Sequence, residues 1–425
     1  AKNFRNLKQI AFAKSEIINN TKDNGFIVLN ADDDFFNLHK KIAEKKSLKI
    51  LSFGIKNRSS NVKLINIQKI DKKFKANIRI NNSKFFKNII LGGSSGLAES
   101  YVKDEFETSD LTSLIELTAR NIHLTHSFSG ILRFKFLKKL IKDIFFSNTR
   151  NKSKEHISKH YDLGNEFFST WLDKTLTYSS AIYENPNDDL SNAQLNKYNK
   201  LISFIKPKCG DHILEIGCGW GGFAEHLAKN YDVKLDCVTI SKKQLEFAKK
   251  RIYKAGLNEK VNIKFLDYRD INKVYDSIAS IEMIEAVGEK YLDKYFLSIK
   301  KNLKPNGICA IQAIIIKDEL FDRYRNNEDF IQKYIFPGGF LPSMETIKEN
   351  CNNLNLHLLN CNSYGTHYAN TLIEWRKNFI KSWETISKQG FDPSFKKIWN
   401  FYFSYCEAGF KSKNIDLIQF SLCNK

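Results

Sequence analysis

From residue 212 onward, short apolar runs alternate with segments whose apolar positions recur every three to four residues. The runs HILEIG (212–217), KLDCVTIS (234–241), VNIKFLD (261–267), YDSIASIEM (275–283) and ICAIQAIII (308–316) predict strands. Between them FAEHLAKNY (223–231), KKQLEFAKKRIYKAG (242–256) and YLDKYFLSIKKNL (291–303) predict helices, the second stopping at Gly256. Such alternation predicts a parallel sheet covered on both faces. A last alternating run, IDLIQFSL (415–422), predicts a further strand, preceded by LHLLNCNSY (356–364) and a helical, aromatic-rich insertion over about 370–412.

The first third of the chain reads differently. LKQIAFAKSEIIN (7–19) has helical spacing, while GFIVLNADDD (25–34) and LKILSFG (48–54) read as strands of a small α/β segment. Residues 85–121 predict a glycine-rich turn, GGSSG, followed by helices. In ILRFKFLKKLIKDIFF (131–146), Leu137, Leu140, Ile141, Ile144 and Phe145 share a helical face, and Arg133, Lys135, Lys138, Lys139 and Lys142 supply cations. That helix suits an anionic bilayer surface, or equally a linker packed on its own domain. SNTRNKSKE (147–155) predicts a solvated linker. The domain expectation is therefore 1–80, 81–155 and 156–425.

No apolar stretch approaches the roughly 20 residues of a spanning helix, and no charged-then-apolar leader is evident, so a cytoplasmic protein peripheral to the inner membrane face is expected. The net charge of +20 fits an anionic partner, although lysine-rich composition alone accounts for it as well. Eight cysteines lack metal-ligand spacing, which predicts reduced thiols and no metal.

In LEIGCGWGG (214–222) an apolar run ends at Glu215 and Ile216, Gly217 and Gly219 allow a sharp bend, and Gly221 and Gly222 open the next helix. Such a bend lets a ligand approach bare backbone N–H groups. No acidic residue closes the second strand to hold a nicotinamide ribose; VTIS does, with Thr239, Ser241 and Gln244.

The ordered set HYDLGNEFFSTWLDKTLTYSSAIY (160–183), LEIGCGWGGFAEHLA, VTISKKQLEFAKKR, DYRD (267–270), SIEMIEAVGEKY (280–291), DFIQKYIFPGGFLPS (329–343) and YCEAGFK (405–411) resembles the cyclopropane-fatty-acyl-phospholipid synthases and mycolic acid cyclopropane synthases, over about residues 84–425. The resemblance implies a class I S-adenosylmethionine-dependent methyltransferase: α/β, Rossmann-like, with a seven-stranded sheet, a helical lipid-pocket insertion and a small N-terminal α/β segment. It implies that Tyr178 and Ser179 close over the methionine end of the cofactor, with Gly217 and Gly219 facing it. Thr239 and Gln244 would meet the ribose, and Tyr268 and Arg269 the adenine, against the plainer readings of Tyr178 as core and Arg269 as a surface ion pair.

By the same resemblance, methyl transfer to the cis double bond of a phospholipid acyl chain leaves a carbocation. That cation needs a dry, aromatic-lined pocket. Loss of a proton to bound bicarbonate closes a cyclopropane, with the bicarbonate cradle mapping to Ser180, Glu285, Gln312 and Tyr368. Glu285 is the strongest assignment, since a carboxylate there can accept the bicarbonate hydroxyl; a dipole-favoured carboxylate at a helix start is the plainer alternative. The chain departs from the family in YSSA, where Ser180 replaces cysteine, and in AIQAI, where Gln312 replaces histidine. Gln cannot be protonated, which bears on ring closure more than on methyl transfer. Cys406 matches the family's reactive cysteine, with a structural thiol the favoured role.

AKSEII (13–18) and NADD (30–33) resemble part of a Mur ligase central domain, yet no phosphate-cradling Gly-Lys-Ser/Thr occurs, so ligase activity is not expected. The segment reads as a gene-fusion remnant joined near 55–82. Three other readings compete: a lipid C-methyltransferase giving methyl-branched or methylene chains, a non-catalytic lipid-binding protein, and a nucleic-acid methyltransferase. The last is disfavoured because EMIEAVG stands where an Asn/Asp-Pro-Pro-aromatic turn would be needed. Expected partners are thus phospholipid acyl chains, not nucleic acid, with a homodimer left open.

Overall fold

The computed structural model describes residues 6–54, 62–63, 76–122 and 163–425. The basic amphipathic stretch 131–146, the linker 147–155 and the start of the 160–183 motif lie outside the described residues. The chain forms two compact units, residues 1–74 with 121–135 and residues 75–120 with 136–425.

In the first unit the predicted α1 (Leu7–Asn20), β1 (Phe26–Asn30) and β2 (Lys49–Gly54) are joined by α2 (Phe36–Lys45) and β3 (Val62–Lys63), which the pattern did not predict, with a parallel sheet ordered β1-β2-β3. Asn6 caps α1, its Oδ1 accepting from the Gln9 N–H at 2.9 Å. Among the described residues the core of this unit is slight: Ile18, Ala43 and Leu48 are buried, with Ile27, Ile42 and Ile50 packed on them.

The second unit opens with β4 (Arg79–Ile80), α3 (Lys84–Val102), β5 (Phe106–Glu107) and α4 (Leu111–Arg120). GGSSG, expected as a turn ahead of the helices, lies inside α3, whose axis breaks at Gly93 (φ 54, ψ −129). After the corner, Gly96 meets the earlier turn so closely that a Cβ there would fall 1.9 Å from the Asn88 carbonyl oxygen. Glycine is needed at both points, one for its backbone angles and one for its lack of a side chain.

There follow α5 (Asn165–Trp171), α6 (Leu190–Ile205), β6 (His212–Ile216), α7 (Gly222–Asn230), β7 (Lys234–Thr239), α8 (Lys242–Lys254), β8 (Val261–Phe265), β9 (Tyr275–Ile281), α9 (Leu292–Asn302), β10 (Leu303–Ile316), α10 (Asp318–Arg325), α11 (Met344–Asn353), β11 (Leu356–Ser363), α12 (Gly365–Lys381), α13 (Trp383–Lys388), α14 (Pro393–Lys411) and β12 (Ile415–Asn424). The strands form one seven-stranded sheet ordered β11-β12-β10-β9-β6-β7-β8, with β6 to β10 parallel and β12 antiparallel to both neighbours. β6, β7 and β9 are buried along most of their length, as strands of a parallel sheet covered on both faces are.

Strand order reverses between β6 and β9, so the crossovers leaving these strands run to opposite faces and open a crevice at their C-terminal ends. The insertion helices α12 and α14 belong to an aromatic core with α5, including Phe167, Phe168, Trp171, Trp375, Phe379, Trp399, Tyr402 and Phe403. Among the described residues no helix is long and apolar enough to cross a membrane.

Candidate active site

Beyond β6 the chain turns through Gly217 (φ 83), Gly219 (φ 51) and Gly221 (φ 82) into α7. The Gly217 and Cys218 N–H groups donate to the Val238 carbonyl at 3.0 and 3.2 Å, which holds the bend to β7. A Cβ on Gly217 would fall 2.8 Å from Met283 Cγ, and one on Gly222 would fall 2.6 Å from the Tyr198 hydroxyl. At Gly219 a Cβ would meet no atom within 4 Å. The middle of the bend therefore faces open space, as a backbone cradle for a ligand must.

The other residues the resemblance assigns to the cofactor lie where β7 passes into α8, in the turn after β8 and in the segment before α6. At the end of β7, Thr239 Oγ1 donates to Gln244 Oε1 at 3.2 Å, and Ser241 Oγ caps α8 by accepting from the Gln244 N–H at 3.3 Å; all three residues are buried. After β8, the Tyr268 ring packs edge-on against Tyr295, with centroids 5.7 Å apart. Arg269 turns back on Asp267, donating from Nε at 2.8 Å and from Nη2 at 2.6 Å, so its fork is engaged within its own turn. Tyr178 is half-buried among Phe168, Trp171 and Trp375 and donates its hydroxyl to Tyr402 at 3.0 Å. Ser179 Oγ accepts from Lys197 Nζ at 2.7 Å. Lys197 is wholly buried in α6, and burial pulls its amino group down to about 7, against the pull of Glu282.

The densest polar cluster centres on a residue that the sequence motifs did not single out. Glu282 follows β9, and its Oε1 accepts from the Ser180 N–H and from Gln312 Nε2, both at 2.8 Å. Its Oε2 accepts from the Tyr368 hydroxyl at 2.8 Å. Gln312 is oriented by Gln419, whose Nε2 donates to Gln312 Oε1 at 2.9 Å, leaving the Gln312 amide to donate to Glu282 and, at 3.3 Å, to the Ser180 carbonyl. The Ser180 hydroxyl donates to the Ala181 carbonyl. Burial raises the Glu282 carboxyl, opposed chiefly by Lys197.

Three of the four residues assigned to a bicarbonate cradle thus meet, but around a carboxylate of the chain. The fourth, Glu285, points elsewhere: its Oε1 accepts from the Ile314 N–H at 2.6 Å, and its Oε2 is buried with no hydrogen-bond partner among the described residues. Each proton of the Ser180 amide, the Gln312 side chain and the Tyr368 phenol is already given to a protein oxygen. These residues do not fit a second anion, and its charge would oppose that of Glu282. Cys406 lies half-buried beside the Tyr368 and Tyr402 side of the aromatic core, and burial raises its thiol well above the usual range. Such a thiol is a poor nucleophile.

Burial first, and the Glu282 charge second, push the Glu285 carboxyl up to about 8. A folded value above the ordinary 4.5 favours the protonated fold, a contribution complete below that value and lost as pH rises through about 8. Glu285→Gln mimics the protonated acid. The melting temperature of the variant relative to the unaltered protein should therefore rise steadily from about pH 5 to about pH 9, and a pH-independent difference in thermal melts would contradict this assignment.

Comparison with known proteins identifies the family of the chain. Residues 148–420 match the mycolic acid cyclopropane synthetase family, and residues 1–94 match the Mur ligase middle domain. A tuberculostearic acid methyltransferase of Mycobacterium tuberculosis is 34% identical over 78% of this chain and 79% of its own length. The cyclopropane-fatty-acyl-phospholipid synthase of Escherichia coli is 35% identical over 81% of this chain and 87% of its own. Among solved structures, a cyclopropane synthase from Mycobacterium tuberculosis superposes with a TM-score of 0.59 at 27% identity, covering 64% of this chain and 98% of that one. A mycolic acid cyclopropane synthase complexed with SAH and CTAB gives 0.60 at 25% identity, with the same coverage.

Proposed function

The chain belongs to the mycolic acid cyclopropane synthetase family and is an S-adenosylmethionine-dependent lipid methyltransferase, and from that premise we propose that it methylates the cis double bond of unsaturated phospholipid acyl chains to form cyclopropane fatty acids. The observation that carries this reading is the pairing, at one reversal of strand order, of an open glycine bend with a buried polar cluster bordered by an aromatic wall.

Gly217, Gly219, Thr239, Gln244, Tyr268, Arg269, Tyr178 and Ser179 hold the cofactor, whose sulfonium supplies an activated methyl group. Arg269 serves by bracing its turn through Asp267 and stacking beside Tyr291, at 5.7 Å from the ring centroid, rather than by offering a free fork. Tyr178, Trp375, Phe336 and Tyr402 present ring faces and edges that exclude water and stabilise positive charge on the acyl chain. The enzyme works at the cytoplasmic membrane face, where its +20 charge favours anionic headgroups.

A second reading, methylation that ends in a methyl-branched or methylene chain, is favoured by Ser180 and Gln312, which depart from the ring-forming pattern, and by similarity to a tuberculostearic acid methyltransferase. Expression of the full chain in a host rich in cis-unsaturated phospholipid, followed by mass spectrometry, separates the two. A gain of one CH₂ that resists hydrogenation means a ring, and one that takes up hydrogen means a branched alkene. Unaltered lipids in cells holding folded protein would refute both.

A further inference from the structure

We propose that Glu282 is the proton acceptor of the reaction, a carboxylate built into the chain where the family resemblance places bicarbonate, so that this enzyme needs no exogenous base. The inference rests on the lipid reading above and adds to it the group that completes the chemistry.

Convergence comes first. The Ser180 amide, the Gln312 side chain and the Tyr368 phenol reach Glu282 from three separate elements, each at 2.8 Å. Gln419, fully buried, fixes which end of the Gln312 amide faces the carboxylate. A carboxylate offers about four lone-pair positions; Oε1 uses two and Oε2 uses one. One position on Oε2 remains to receive a proton.

Backbone strain is independent of these bonds. Glu282 holds φ at 47°, in the left-handed region that a non-glycine residue occupies at a cost. Its N–H donates to the Gln312 carbonyl at 2.8 Å, so the strained turn is pinned to the strand that carries its partner. Strain held this way directs the side chain to the C-terminal edge of the sheet, next to the glycine bend whose Gly217 abuts Met283. Position matters too. Glu282 as a residue is half-buried, whereas Ser180, Gln312 and Lys197 are fully buried. The Tyr368 ring lies 4.4 Å from Phe410 and 6.1 Å from Trp375, joining this carboxylate to the aromatic wall.

The step balances without a further reactant. The alkene π pair forms a C–C bond to the donor methyl as the C–S bond breaks and its electrons stay on sulfur. One C–H bond of the resulting cation then breaks, its electron pair forming the ring bond or a new double bond, and the proton passes to Glu282 Oε2. Which hydrogen lies nearest that oxygen selects ring or alkene, so one base serves either product.

The test uses the full-length enzyme, S-adenosylmethionine and vesicles of cis-unsaturated phospholipid in buffer stripped of carbon dioxide, with and without millimolar bicarbonate. S-adenosylhomocysteine release and lipid mass are followed together. Unaltered enzyme should turn over equally in both buffers. Glu282→Gln should lose at least about 100-fold in rate while still binding S-adenosylhomocysteine, and Glu282→Gly, which vacates the cradle, should regain activity on addition of bicarbonate. Dependence of the unaltered enzyme on bicarbonate, or a Glu282→Gln variant of normal rate, overturns the proposal while leaving the lipid reading intact. Absence of methylated lipid from the unaltered enzyme in both buffers, despite bound S-adenosylhomocysteine, overturns the lipid reading itself and this proposal with it.

Discussion

Gly219→Leu should yield a folded protein that binds S-adenosylmethionine at least about 100-fold more weakly, a loss of about 2.7 kcal/mol. The bend offers two kinds of glycine. At Gly217 a Cβ would press on Met283 Cγ at 2.8 Å, so substitution there disturbs the protein itself. At Gly219 a Cβ meets no atom within 4 Å, so the only cost to the fold is the left-handed backbone (φ 51), about 1–2 kcal/mol for an L-residue. A leucine side chain would instead project into the space that the cofactor needs. Calorimetric titration with S-adenosylhomocysteine, beside a thermal melt, separates the two effects. A Gly219→Leu protein of normal affinity would mean that the bend faces something other than the cofactor.

Arg376→Met should lower stability by about 2–3 kcal/mol and release the α3–α4 region to protease. Arg376, on α12, donates to Thr112 of α4 at 2.6 Å and to Ser404 of α14 at 2.7 Å, and pairs with Glu407 at 2.9 Å. Thr112 in turn donates to Glu407 at 3.0 Å, and the Glu407 side chain is only 2% exposed. Removing one partner of a buried pair costs about 3–5 kcal/mol because the remaining charge is stranded. Here Lys411 also pairs with Glu407, and Arg376 is itself partly exposed, which reduces the expected figure. The melting temperature should fall by on the order of 5 °C, with the first new cuts between residues 84 and 120. An unchanged melt and cleavage pattern would show that α4 is held by its apolar face alone, through Leu111, Leu114 and Ile115.

The Arg376 network also bears on how the N-terminal part of the chain is read. The domain expectation sets residues 81–155 apart by pattern alone, while in the structure residues 75–120 share a compact unit with the sheet, and α4 rests on α14. Nothing local announces this, because Thr112 and Glu407 are 295 residues apart. GGSSG was expected as a turn ahead of the helices. Its glycines marked a change of direction correctly, but helical hydrogen bonding resumes on both sides of Gly93, so the turn became a corner within α3.

The sheet, its intervening helices and the glycine bend were legible in the sequence, because strand and helix periodicities and the need for positive φ are properties of neighbouring residues. The candidate cofactor residues at 178–179, 217–219, 239–244 and 268–269 were named instead through the resemblance of the motifs that hold them to one family. Tertiary structure alone chose between Glu282 and Glu285. The two carboxylates sit three residues apart in EMIE, and what distinguishes them is one left-handed φ and three donors lying 102, 86 and 30 residues away along the chain. Lys197, lost in the polar pattern of α6, is a buried amine because Ser179 and Gln419 of β12 pack against it. A local pattern can say where a strand ends and what chemistry stands there. It cannot say which of two carboxylates gathers three donors and which is left with one, because those donors come from groups that folding brings together from distant parts of the chain.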